Sequence, residues 1–280
     1  MPVPRPVRNF LHLPSALCLD APLVAVGWAL LLAVEKGPVS LPGTGALFFA
    51  VWAVYLADRI RDSRKGFGSP FEPVRHRFAR RHPRILIFLF SFAIAGGLAV
   101  ALSGLERQTI VAGATVAFAT ALYFFVFGWA DTTKLAPRLP GKEMVIAICF
   151  ATGVSIGSGR NDPREWISPE TAAMSLLFLA NCLVISRAEA DRDRSFDPKA
   201  FFSQNERSFL WISVPLALSA SIGAWIMFAS RPGVGTGLVL CSAATWWINK
   251  WPTGKSEWVQ PASDAILLIP WFIALAACFG

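Results

Sequence analysis

Apolar residues run along this chain in long stretches, and its polar residues gather in short clusters between them. Nine stretches stand out, at about 14–34, 43–60, 85–103, 109–129, 143–157, 171–188, 208–229, 233–249 and 262–279. Most approach the ~20 residues that a helix needs to cross the hydrocarbon of a bilayer. The pattern predicts an all-α fold, an integral membrane bundle of nine transmembrane helices forming one domain over 1–280. The fifth stretch is short and carries Gly153 and Gly157, so it is expected to be tilted or covered by its neighbours.

The composition supports the same picture. Of 280 residues, 54% are hydrophobic and 16% charged, and the mean hydropathy is +0.50, far above ordinary soluble usage. A net charge of +8 could signal nucleic-acid binding, but the basic residues follow the loops instead. With nine spans, the side shared with the N-terminus holds Arg5, Arg8, eight residues in 61–84, three in 134–142, four in 192–207, Lys250 and Lys255, 19 in all. The other side holds Lys36, Arg107, Arg160, Arg164 and Arg231, which is 5. The positive-inside rule therefore predicts a cytoplasmic N-terminus and a C-terminus outside. Arg5 and Arg8 before an apolar run also resemble a signal peptide, yet Asp20 interrupts the run and its length suits a first span. The five cysteines all fall in predicted spans without zinc-like spacing, and His12, His76 and His82 form no ligand pair.

Two of the predicted spans end in acid clusters on the cytoplasmic side. The first reads Tyr55-Leu-Ala-Asp58-Arg-Ile-Arg-Asp62, the second Ser186-Arg-Ala-Glu189-Ala-Asp191-Arg-Asp193, with Asp197 shortly after. Asp58 and Asp62, like Glu189 and Asp193, stand four apart, so a helix presents each pair on one face. The two pairs are offset by the same 131 residues, which hints at a weak internal duplication. Carboxylates of this kind suit Mg²⁺ or Mn²⁺, hard cations held by one or two carboxylates plus substrate phosphates. The basic loop after the second span (Arg64, Lys65, Arg75, His76, Arg77, Arg80, Arg81) is placed to engage the same anion. The plainer reading is that helix-end acids are solvated charges at headgroup level, paired with neighbouring arginines to little effect.

An aspartate-rich end to the second and sixth of nine helices resembles the UbiA superfamily of intramembrane prenyltransferases, across essentially the whole chain. The family's first motif is NDxxDxxxD, and Ala57-Asp58-Arg59-Ile60-Arg61-Asp62 is similar to its second half. Lys134-Leu-Ala-Pro-Arg138-Leu-Pro-Gly-Lys142-Glu143, followed by Gly153, resembles the family's basic link between spans four and five. Glu189 and Asp193 correspond to the DxxxD of the sixth helix, and Asn181 continues that face. The chain departs from the pattern at Val54 and Tyr55, where the family has Asn and Asp, and at Glu189 in place of Asp.

The resemblance implies Mg²⁺, with Mn²⁺ as substitute, an isoprenyl diphosphate substrate, a hydrophobic acceptor and a pocket opening towards lipid. Asp58, Asp62, Glu189 and Asp193 would be catalytic and hold metal, with Asp191 and Asp197 as further ligands. Asn181, Arg59, Arg75, Arg77, Lys134 and Arg187 would bind substrate. Rings such as Phe118, Phe124, Phe125, Phe150, Phe178 or Trp211 would shield an allylic cation. A terpene cyclase of the same superfamily is the alternative, since Val54 and the Phe-rich spans suit a site without a polar acceptor pocket. A non-catalytic transporter or lipid-binding protein would instead bury carboxylates at mid-span, where only Asp20 and Asp264 lie.

Overall fold

Each apolar stretch of the sequence folds as helix, the one open-ended element that satisfies its own backbone polar groups away from water. In the structure, a computed structural model, the described residues are 13–35, 37, 39–63, 74–129, 140–160, 162–196, 201–204, 209–229, 231–251 and 256–279. Among them the elements run α1 (Leu13–Ala16), α2 (Asp20–Val34), α3 (Leu41–Ser63), α4 (Val74–Arg81), α5 (Pro83–Gly104), α6 (Arg107–Trp129) and α7 (Gly141–Gly157). A single 3-10 turn (Pro163–Ile167) leads into α8 (Pro169–Phe196), α9 (Phe201–Gln204), α10 (Phe209–Ala229), α11 (Pro232–Ile248), α12 (Ser256–Ile266) and α13 (Ile269–Phe279). The helix starts are legible chemically. Pro83, Pro169 and Pro232 open their helices at the position where the missing N–H costs nothing. Ser40 and Ser168 accept the backbone N–H of Gly43 and Thr171, capping α3 and α8.

Length positions the acid motifs. The 28 residues of α8 extend about 42 Å at 1.5 Å per residue, beyond a hydrocarbon core of about 30 Å. The apolar span of α8 runs Pro169–Ala190, so Glu189 stands at the end of that span and Asp191 and Asp193 follow it. The apolar span of α3, Leu41–Arg61, likewise ends between Asp58 and Asp62.

The core forms around α2, which is apolar all round and buried on most of its surface. Trp28 is fully buried and meets Phe178 of α8 edge-on at 6.0 Å, while Phe150 of α7 meets the same ring at 4.8 Å. Missing side chains set two close approaches. A Cβ on Gly27 would lie 2.4 Å from the Trp271 ring, whose Nε1 donates to Leu23 O at 2.7 Å and latches α13 to α2. A Cβ on Gly235 would lie 2.5 Å from Gly223 O, so α10 and α11 touch backbone to backbone. At the periphery, α5 and α6 present Phe88, Leu98, Leu102, Phe118 and Leu122 outward, as a lipid-facing surface does.

Two expectations change. The stretch 14–34 is not one helix, because Cys18 takes a positive φ of 56° and the chain turns before α2 begins at Asp20. The last span starts earlier than residue 262 and is broken at Leu267–Leu268 into α12 and α13. Six helical stretches are long and apolar enough to cross a membrane: Leu41–Arg61, Pro83–Gly104, Arg107–Phe125, Pro169–Ala190, Phe209–Ala229 and Trp258–Cys278. Three further apolar helices, α2, α7 and α11, have 15, 17 and 17 residues and fall short of the usual span. The structure thus supports an all-helical membrane bundle without establishing nine crossings.

Opposite the acid motifs, charges tie the helix ends together. Arg160, 2% exposed, donates to Ser168 Oγ at 2.9 Å and Glu170 Oε2 at 3.3 Å, and Arg231 pairs with Glu170 Oε1 at 2.9 Å. Burial pulls the Arg160 guanidinium below its ordinary pKa, and the Glu170 charge works against that pull. Ser155 and Thr171 hydroxyls bond at 2.7 Å, and Trp166 Nε1 donates to Arg160 O at 3.2 Å. Glu35, just past α2, accepts the backbone N–H groups of Gly233 and Val234 at the start of α11.

Candidate functional site

The acid end of α3 keeps its charges partly solvated. Asp58 Oδ1 accepts from Arg61 Nη2 at 2.6 Å, with the two side chains 42% and 29% exposed. The Arg61 guanidinium also lies over the Phe124 ring of α6, 5.2 Å from its centroid. Tyr55 stands one turn deeper than Asp58 on the same face. Arg59 is buried, at 9% exposed. Asp62 lies one turn beyond Asp58 on α3, its side chain outside the described residues.

On α8, the half-buried Glu189 marks the equivalent level. Two turns deeper, Asn181 is nine-tenths buried and bridges to α12. Its Nδ2 donates to Asp264 Oδ1 at 3.4 Å, and its Oδ1 accepts from the Ser263 hydroxyl. Arg187 points elsewhere: its Nη2 donates to the carbonyl of Asn249, at the C-terminal cap of α11. A cation there complements the negative helix end.

Several of these side chains lie within reach of one another. α3 packs on α2, α5 and α7, whereas α8 packs on α7, α10, α11 and α12, so the two acid-bearing helices flank α2 and α7. Tyr55 of α3 lies within electrostatic reach of Cys182, Asp264, Asp20 and Asp58, which sit on α8, α12, α2 and α3. Tyr123 of α6 lies within reach of Asp58, Arg61, Glu143 and Cys182. The result is a polar cluster to which six helices contribute side chains, α2, α3, α6, α7, α8 and α12. Among the described residues, no three His, Cys, Asp or Glu side chains close around a point as a finished metal site would.

No protein-family model matches the chain, and no curated protein matches it significantly by sequence. Its architecture does have a counterpart. The apo structure of a UbiA homolog from Aeropyrum pernix K1 superposes with a TM-score of 0.56 at 15% identity, covering 91% of this chain and 98% of that one. The chain has the UbiA fold.

Within that UbiA-like bundle, the residues expected to form the site divide into three sets. Asp58, Glu189 and Asn181 are described: Asp58 lies within electrostatic reach of Tyr55, Asn181 bonds Ser263 and Asp264, and Glu189 is half-buried two turns along α8 from Asn181. Arg59 and Arg187 are described and are engaged inward or on a helix end. Arg77 lies exposed on α4. Asp191 and Asp193 belong to α8, and Arg75 to α4, but their side chains lie outside the described residues, as do Lys134 and Asp197 altogether. Of the expected cation-shielding rings, Phe118, Phe125 and Trp211 are exposed, at 71%, 58% and 38%, whereas Phe178 is buried beside Phe150. The cluster residues Tyr55, Tyr123, Ser263 and Asp264 were not expected in the site. Asp264 was the one visible signal, a carboxylate inside an apolar stretch.

Proposed function

We propose that the protein is an intramembrane prenyltransferase that ionises an isoprenyl diphosphate and passes the prenyl group to a hydrophobic acceptor. The observation that carries this reading is the polar cluster of Tyr55, Tyr123, Asn181, Ser263 and Asp264, which lies beside Asp58 of α3 and two turns from Glu189 of α8. Asp58 and Glu189, with Asp62, Asp193, Asp191 and Asp197, supply hard oxygen ligands suited to Mg²⁺ or Mn²⁺. Bound there, such an ion would neutralise charge on the departing diphosphate. Arg61 already places a guanidinium on Asp58, and Arg75, Arg77 and Lys134 add cations on the same side for the phosphate oxygens. Phe150 and Phe178, packed edge to face at 4.8 Å, are the rings this reading assigns to shielding the allylic cation.

The polar cluster favours transfer over self-cyclisation. Tyr55, Tyr123, Asn181 and Asp264 are groups that an acceptor needs and that a purely hydrocarbon cation does not. The split of 19 basic residues against 5 supports nine crossings, with the acid motifs and N-terminus in the cytoplasm. The test offers geranyl, farnesyl and geranylgeranyl diphosphate separately to the purified protein in native lipid extract. Diphosphate release that requires Mg²⁺ or Mn²⁺ and stops with chelator is the expected result. No release from any of the three ends the prenyltransferase reading, and a hydrocarbon product without acceptor turns it into a cyclase.

A further inference from the structure

A carboxylate inside an apolar helix needs a reason, since an unpaired charge at mid-bilayer costs about 2.5–3.5 kcal/mol on insertion scales. Asp264 lies in the apolar stretch Trp258–Cys278, on α12. Its carboxylate is held by a directed relay. The Ser263 hydroxyl donates to Asn181 Oδ1, which fixes the amide so that Nδ2 turns to Asp264 Oδ1 at 3.4 Å. Ser263 is fully buried and Asn181 is 6% exposed, so the amide is not free to flip in solvent. Tyr55 of α3 lies within electrostatic reach of Asp264.

Depth decides what this carboxylate can do. Asn181 lies eight residues before Glu189 on α8, about 12 Å along the helix axis at 1.5 Å per residue. Asp264, bonded to Asn181, therefore lies about two turns of α8 below Glu189. On the prenyl-transfer reading, that is beside the carbon chain of a substrate whose diphosphate is held by the acids.

We propose that Asp264 is the proton acceptor of the reaction, aimed by Ser263 and Asn181. The proposal rests on the prenyl-transfer reading. When the C1–O bond breaks, its electron pair leaves with the diphosphate. The acceptor's electron pair then forms the new bond to C1, an acceptor X–H bond gives up its proton, and Asp264 takes that proton. The same balance holds if the cation loses a proton from carbon to form an alkene. In either case the carboxylate, aimed by Asn181, acts as base in place of solvent.

The test separates ionisation from proton loss. Labelled geranylgeranyl diphosphate is incubated with full-length protein in native lipid extract, and released diphosphate and prenyl products are measured together. Asp264→Asn is expected to release diphosphate within about threefold of wild type. Its deprotonated product, whether transfer product or alkene, should fall at least about tenfold relative to diphosphate, at the low end of general-base effects. Prenyl alcohol should replace it, because water then captures the cation and passes its proton to solvent. Ser263→Ala, which loosens the amide but leaves the carboxylate, should shift the same ratio in the same direction by a smaller factor. It also serves as the test if Asp264→Asn fails to fold. An unchanged product ratio in the folded variants reduces the relay to a tie between α8 and α12. Loss of diphosphate release in Asp264→Asn, as expected of Asp58→Asn, assigns the residue to the diphosphate machinery and overturns the base role. Wild type that yields prenyl alcohol alone also overturns it. Wild type that releases no diphosphate fails the underlying reading instead.

Discussion

The two ends of the bundle use the same residue types for opposite purposes. At one end Arg160, Glu170 and Arg231 interlock, and Glu170 is nine-tenths buried between two guanidinium groups. At the other, Asp58 holds one arginine while 42% of its side chain stays exposed, and Glu189 is half-buried. Buried charges have to be answered by partners, because an uncompensated one is far costlier than the pair. A carboxylate left partly in water carries no such obligation. What separates a strut from a site is thus the degree of desolvation and internal satisfaction, not the density of charge.

The largest effect that can break this contrast comes from the closed end. Glu170→Ala leaves Arg160 and Arg231 facing each other and should cost about 3–5 kcal/mol of stability. Thermal unfolding in detergent reads it directly, and an unchanged midpoint would mean that the cluster is not structural. Asp58→Asn tests the open end. Stability should move by less than about 1 kcal/mol, as for an exposed pair, while diphosphate release falls about 100-fold or more. Equal losses of stability and release would erase the distinction between the two ends. Gly235→Ala drives a methyl into the backbone of α10 and should destabilise by about 1–3 kcal/mol without altering the substrate KM of the remaining folded protein. Glu35→Ala removes the acceptor from the α11 N-terminus and should cost about 1 kcal/mol in the same unfolding measurement.

Much of the scaffold was legible in the sequence, for a physical reason. Apolar length and helix-opening prolines report on each segment separately, and they located every long helix. The break before α2 was not visible, since a cysteine at positive φ leaves no compositional mark beyond the nearby Asp20. The start of the last span was set too late because Ser256, Glu257 and Gln260 resemble a loop in hydropathy, although Val259 among them is buried. The acid motifs could be read because their members lie within one or two turns of each other. Contacts between distant segments could not. Asn181 meets Ser263 and Asp264 across more than 80 residues, and Arg187 sits in an acid motif yet serves the end of α11. A one-dimensional pattern groups Arg187 with its neighbours in sequence, while folding sends it to the nearest unsatisfied carbonyls.

The latch between Trp271 and Leu23 joins residues 248 apart in the chain. During synthesis, α2 enters the bilayer long before its partner exists, and its bare face at Gly27 must wait for that ring. Ser263 and Asp264 reach Asn181 in the same late event, since both lie within eight residues of Trp271. A nascent chain halted before residue 256 thus has its acid motifs but not the α12 partners of Asn181. Such an arrested chain should expose the α2 surface to chaperones and membrane proteases, whose recognition then becomes a clock for completion of the bundle.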